Sequence, residues 1–286
     1  MRRWLAQAIG RGQTAWKRLR GVPSPIPDAL WLEVIGDYPF LAALNADEAQ
    51  QLRTLCEHFL HTKEFSGAHG LTVTDQMALS IAAQACLLWV HQGPQGLRWY
   101  DGFVGIVLHR DEAIAQRELP DAIGVVHRYR ETLAGEAMHG GPLMLAWSHV
   151  RAASADVAGG HNLVIHEFAH AIDMRYKSAG EMANGCPRLP AGFMGLSAAE
   201  ANRCWHDAWA PAYAQLVTAV EMSERFGAQP PWLDAYGATS PAEFFAVVCE
   251  AYAVNRARLL TAYPDITRLL DAFFSRPPAI NGATTP

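Results

Sequence analysis

The run His166-Glu167-Phe168-Ala169-His170 brings two imidazoles and a carboxylate into five consecutive positions. On an α-helix, residues four apart differ by roughly 40° of rotation and about one turn of rise, so both histidines project from one face. Two neutral imidazole nitrogens are half of a four-coordinate zinc shell. Glu167 points roughly 100° away from His166 around the helix, so it can stand beside an ion without ligating it. A carboxylate placed there can accept a proton from metal-activated water, which is the chemistry of metal-assisted hydrolysis. The competing reading is a core helix with two satisfied histidines. The surrounding NLVIHEFAHAID is apolar, and three polar side chains buried in it without a partner would be costly.

Two histidines and a water leave one coordination position to fill. Glu243, in Ser240-Pro241-Ala242-Glu243-Phe244-Phe245-Ala246, follows His170 by 73 residues and is the candidate carboxylate. Ser240 and Glu243 also have capping-box spacing, so Glu243 could instead cap its own helix. Glu250 falls seven residues later on nearly the same face, and could orient a ligating histidine or be a solvated helix charge. Asp173, three residues after His170, raises the same alternatives.

The elements that must carry these residues can be read from periodicity. A helix is expected from about His161 to Tyr176. Another starts at Ser240, with Pro241 at its first position, and runs to about Arg256. Between them a long helix opens on the Ser197-Ala198-Ala199-Glu200 capping box and runs to about Phe226. Upstream, Ala46–Leu60 and Thr74–Val90 read as helices, the second apolar nearly all round and therefore buried. Gly102–Leu108 and Leu143–Trp147 are short apolar runs with strand character. The Pro-rich Val22–Trp31 segment should be extended. Residues 1–20 form a basic arm carrying Trp4 and Trp16, and the tail SRPPAINGATTP should be disordered.

The chain has 286 residues, 50% hydrophobic and 18% charged, which is enough apolar material for a sizeable core. A net charge of −5 gives no global reason to expect nucleic acid. Five scattered cysteines, odd in number and without a CxxC pair, support neither a cysteine zinc site nor a disulfide framework. The basic start lacks a long apolar stretch and a cleavage site, and no run approaches the ~18 apolar residues of a membrane span. A cytoplasmic protein is the expectation.

The stretches NLVIHEFAHAIDM and DAYGATSPAEFFAVVCEAY, with LRWYDGFVGIVLHR, DAIGVVH and GGPLMLAW between the helices, closely resemble the Mlc titration factor A family of bacterial zinc peptidases. The resemblance runs from about Trp31 to about Arg276. The catalytic domain of anthrax lethal factor is similar in the two core motifs. The resemblance implies one Zn2+ per chain on His166, His170 and Glu243, with Glu167 as general base. It also implies that Tyr236, seven residues before Glu243, stabilises the oxyanion. The implied fold is α+β, predominantly helical and gluzincin-like, with a small mixed sheet whose edge strand flanks the motif helix and binds extended peptide. Leu143–Trp147 is the candidate for that strand, with a core strand as the other reading. The implied organisation is an arm and linker at 1–30, one peptidase domain at 31–276 and a tail at 277–286. The expected activity is aminopeptidase-like cleavage of peptides. Members of the family also bind the glucose repressor Mlc, linking them to phosphotransferase-system regulation. The alternative reading is therefore a protein that sequesters a transcriptional repressor, with peptidase activity secondary.

Overall fold

A computed structural model describes residues 24–275 apart from 112, 121–125, 134, 138–140, 154–159 and 179–180, with the strands between 113 and 137 described by backbone alone. The arm at 1–20 and the tail from 277 lie outside the described residues.

Helices dominate. Pro27 ends the extended segment earlier than the proline content suggests, and α1 (Asp28–Asp37) starts directly after it, where a fixed φ suits a helix entrance. After the short α2 (Pro39–Ala42), α3 (Ala46–Thr62) is held at its start by a reciprocal capping box between Asn45 and Glu48. Its Leu52, Leu55, Cys56, Phe59 and Leu60 are buried, as the periodicity requires. Strand β1 (Glu64–Gly67) follows. Next comes α4 (Asp75–Leu87), capped by the Thr74 hydroxyl, with every residue from Met77 to Leu87 buried. An all-round apolar helix belongs in the centre of a domain, and α4 packs against α3 on one side and the HExxH helix on another.

Four short strands form the main sheet. β1 and β2 (Gly105–His109) are parallel neighbours, and so are β2 and β6 (Leu143–Ala146). Between β2 and β6 in sequence, β3 (Ala113–Pro120) and β4 (Val126–Leu133) make a separate antiparallel hairpin. β5 (Gly135–Ala137) then pairs antiparallel with the outer side of β6, giving the order β1-β2-β6-β5. The sheet is small and mixed, but Leu143–Trp147 is not its edge. β5 occupies the hydrogen-bonding side of β6 that a peptide would need, and β5 itself is the edge strand lying next to the HExxH helix. Trp147 leaves the strand to open α5 (Trp147–Ala152).

Helices α6 (Leu163–Met174), α7 (Ala198–Phe226), α8 (Pro241–Val254), α9 (Arg256–Ala262) and α10 (Pro264–Phe273) complete the described chain. The helix expected to reach Arg256 stops at Val254, and Asn255 separates it from α9. Among the described residues, no helix is long and apolar enough to cross a membrane.

Candidate metal centre

Helix α6 begins at Asn162, whose Oδ1 accepts the Ile165 N–H at 2.9 Å. Val164, Ile165, Phe168, Ala169 and Ile172 are fully buried. Phe168 lies against Phe59, Tyr100 and Phe103, with ring centroids 5.7, 4.7 and 5.7 Å away. This apolar anchorage sets the rotation of the helix, and the remaining face turns His166 and His170 towards α8.

Helix α8 starts with Ser240 as cap and Pro241 at its first position. The two readings of Glu243 separate here. Ser240 Oγ accepts the Glu243 N–H at 3.2 Å, whereas the Glu243 carboxylate leaves its own helix and reaches α6. Its Oε2 is 3.0 Å from His166 Nε2 and 3.1 Å from His170 Nε2, and the two Nε2 atoms are 3.2 Å apart. Donors about 2.0–2.1 Å from one tetrahedral zinc ion lie roughly 3.3 Å from each other. The observed triangle therefore has the dimensions of three donors around a single ion. Among the described residues these three are the group of His, Cys, Asp and Glu side chains spaced to hold one.

The surroundings suit that purpose. Glu250, one of two readings in the sequence, faces inward, with Oε1 2.7 Å from His166 Nδ1. A carboxylate only accepts, so Nδ1 carries the ring proton and the Nε2 lone pair is left for an ion. The other Glu250 oxygen accepts the Asn162 backbone N–H. Burial favours neutral His166, but its bonds to Glu243 and Glu250 outweigh burial and raise its pKa. Burial also pushes the Glu243 carboxyl up, and there the two histidines prevail and hold it below the usual carboxylate range. Glu167 is buried, and burial pushes its carboxyl up to about 7 against the opposing influence of His166 and His170.

Tyr236 stands at the rim. The residue is 52% exposed, and its ring centroid is 5.9 Å from that of His166. The tight turn Ala235–Ala238 that carries it is capped by Asp234, whose Oδ1 accepts the Tyr236 N–H at 2.9 Å. The other Asp234 oxygen is 3.4 Å from His161 Nδ1, which ties the tyrosine turn to the residue just ahead of the α6 cap. Neither Asp234 nor His161 carries a sequence signal, because the pair is made between distant segments.

Asp173 does not orient a histidine. It is buried and accepts the N–H groups of Asn184 and Gly185 at 2.8 and 2.7 Å, with Lys177 on its other oxygen. Its work is to fold the loop after α6 back against α8. At Gly185 (φ +75°) a Cβ would fall 2.3 Å from the Pro241 carbonyl oxygen, so only glycine lets the loop lie this close to the helix carrying Glu243.

The model of a family described as glucose-regulated metallo-peptidase M90 matches residues 13–275 of the chain. An uncharacterized protein of Synechocystis sp. is 31% identical over 269 residues, covering 93% of this chain and 90% of its own. Proteins called Mlc titration factor A are 30% identical. That of Enterobacter sp. aligns over 254 residues and 88% of each chain, and that of Escherichia fergusonii over 248 residues, 87% of this chain and 86% of its own.

Proposed function

The chain belongs to the glucose-regulated metallo-peptidase M90 family, and from that premise we propose that it is a zinc-dependent peptidase with aminopeptidase-like activity on peptides. The observation that supports this best is the triangle of His166, His170 and Glu243 donors beside the buried Glu167. In this reading the three residues hold one zinc ion, which when bound polarises the scissile carbonyl and acidifies water. Glu167 accepts the proton of the attacking water and passes it to the leaving amine. Its burial favours this exchange, since a carboxyl raised to about 7 is a stronger base towards the attacking water than an ordinary carboxylate and still an acid near neutral pH. Tyr236 donates its hydroxyl to the oxyanion developing on the carbonyl. The edge strand β5 pairs with β6 on one side, and in this reading its other side, unpaired among the described residues, takes an extended peptide.

The test compares wild type with Glu167→Gln for zinc content and for cleavage of a mixed peptide library. Wild type should carry about one zinc and cut peptides, and the variant should keep the zinc and lose most turnover. Equal cleavage by the two would sink this mechanism.

The relatives' name favours a second reading, in which the chain binds a repressor of the Mlc type. Capture of such a repressor by the inactive Glu167→Gln protein would make binding a function separate from cleavage.

A further inference from the structure

From Met77 to Leu87 α4 is buried and apolar but for Ser80 and Gln84, and Gln84 in its last turn is completely buried. Its Oε1 accepts Asn162 Nδ2–H at 2.8 Å, and its own Nε2 donates to the Ser80 carbonyl at 3.0 Å. Asn162 in turn uses Oδ1 for the Ile165 N–H and its backbone N–H for Glu250. Glu250 ends the series at His166 Nδ1. Backbone groups pin both ends of the two amides. Ile165 can only donate and Ser80 O can only accept, so neither amide can turn over without losing a bond. Burial makes each such loss expensive, because water cannot replace the missing partner.

We infer that Gln84 is a positioning residue of the metal centre, acting through Asn162 and Glu250 to hold His166 with Nε2 facing Glu243 and His170. The inference rests on the metal-centre reading given above and extends it to a helix that supplies no ligand. Gln84 fixes where Asn162 sits, and the Asn162 backbone N–H fixes one oxygen of Glu250. The other Glu250 oxygen then has a single place to meet the imidazole. Without the amide, the cap can drift, the carboxylate can rotate, and His166 loses its set direction. Hydrogen-bonding partners outside the ligand set commonly alter metal affinity by about 10–100-fold.

Two variants separate positioning from simple stability. Gln84→Met keeps the volume and removes both amide bonds, and Asn162→Ser keeps a good helix cap while deleting the donor to Gln84. Zinc affinity is read by competition with a chromophoric chelator, the ligand field by the visible spectrum of the cobalt-loaded protein, and folding by thermal melting without metal. Both variants should bind zinc about tenfold more weakly, with a changed cobalt spectrum. The double variant should be no weaker than the weaker single variant, since both cut the same chain of bonds. Wild-type zinc affinity and cobalt spectrum in folded Asn162→Ser would overturn the inference, even if the melting temperature fell, and this variant decides alone if Gln84→Met does not fold. Losses that simply add would overturn it as well. A wild type that takes up no zinc would instead remove the metal centre, and this role with it.

Discussion

Glu250 Oε1 lies 2.7 Å from Nδ1 of His166, on the side of the ring opposite Glu243. One imidazole thus joins two carboxylates about two turns apart on α8, one able to share an ion and the other able to hold the ring. Glu250→Gln keeps the shape and loses the charge, and its amide can present a donor where Nδ1–H needs an acceptor. Zinc affinity should fall by about 10–100-fold, measured by chelator competition, with the fold retained by circular dichroism.

The same arrangement makes metal uptake sensitive to pH. Burial alone would lower the pKa of His166, but Glu243 and Glu250 raise it, so the zinc-free protein keeps this ring protonated at neutral pH. An ion must displace a proton from His166 as it binds. Calorimetry in buffers of different ionisation enthalpy should therefore detect proton release on zinc binding, and affinity should weaken as pH falls. Zinc uptake without proton release would contradict the arrangement.

Catalysis should show an acidic limb of different origin. Glu167 must be ionised to accept a proton, and burial places its pKa at about 7, which a neighbouring cation can only lower. The kcat/KM profile should rise with pH and level off with an apparent pKa at or below about 7. An acidic limb of identical position and depth in the residual activity of Glu167→Gln would assign it elsewhere.

The Tyr236 ring lies 5.9 Å from that of His166 between centroids, and in the proposed mechanism its hydroxyl serves the reacting carbonyl. Tyr236→Phe should lower kcat by roughly 10²–10³-fold, as loss of one oxyanion donor does elsewhere, with zinc content unchanged. Asp234→Ala frees the turn without removing the hydroxyl, so a smaller fall in the same direction is expected. Steady-state kinetics on one peptide substrate compares the two.

Gly185→Ala tests the close approach behind the site. An added Cβ would meet the Pro241 carbonyl at 2.3 Å on a residue with φ +75°, so loop and helix must part. A destabilisation of about 1–3 kcal/mol is expected, at roughly 2–4 °C of melting temperature per kcal/mol. Excess zinc should recover part of it by binding only the folded form. An unchanged melting temperature would show that the loop can yield.

The local parts of the site were legible because helix caps and periodicity are local. Ser240 and Pro241 set the start of α8, Asn162 opens α6, and the four-residue spacing of His166 and His170 needs only a helix around it. The placement of Glu243 was not settled in the same way, since a cap and a metal ligand require the same residue at the same spacing. Only the position of α6 across from it separates the two. Whether Leu143–Trp147 is an edge or a core strand is undecided in the sequence for a related reason: Leu143–Ala146 has strand character whether or not a neighbour covers it, and β5 is three residues long with glycine first. Asp173, a helical repeat of seven from His166, leaves a histidine partner and a solvated charge equally open in the sequence. It serves the loop at Asn184 and Gly185 instead, a contact outside that repeat. Gln84 did carry a signal, as a lone amide deep inside an apolar helix, but its partner lies 78 residues away.

The long interval between His170 and Glu243 also sets a timetable for the newborn protein. With 73 residues between them and synthesis at roughly 5–20 residues per second, several seconds pass after the histidines are made before the third donor exists. Until α8 has been translated and docked on α6, the growing chain offers an ion two imidazoles and no complete cage. In the proposed reading, the site therefore stays incomplete from the making of the two histidines until the helix carrying Glu243 has been translated and docked.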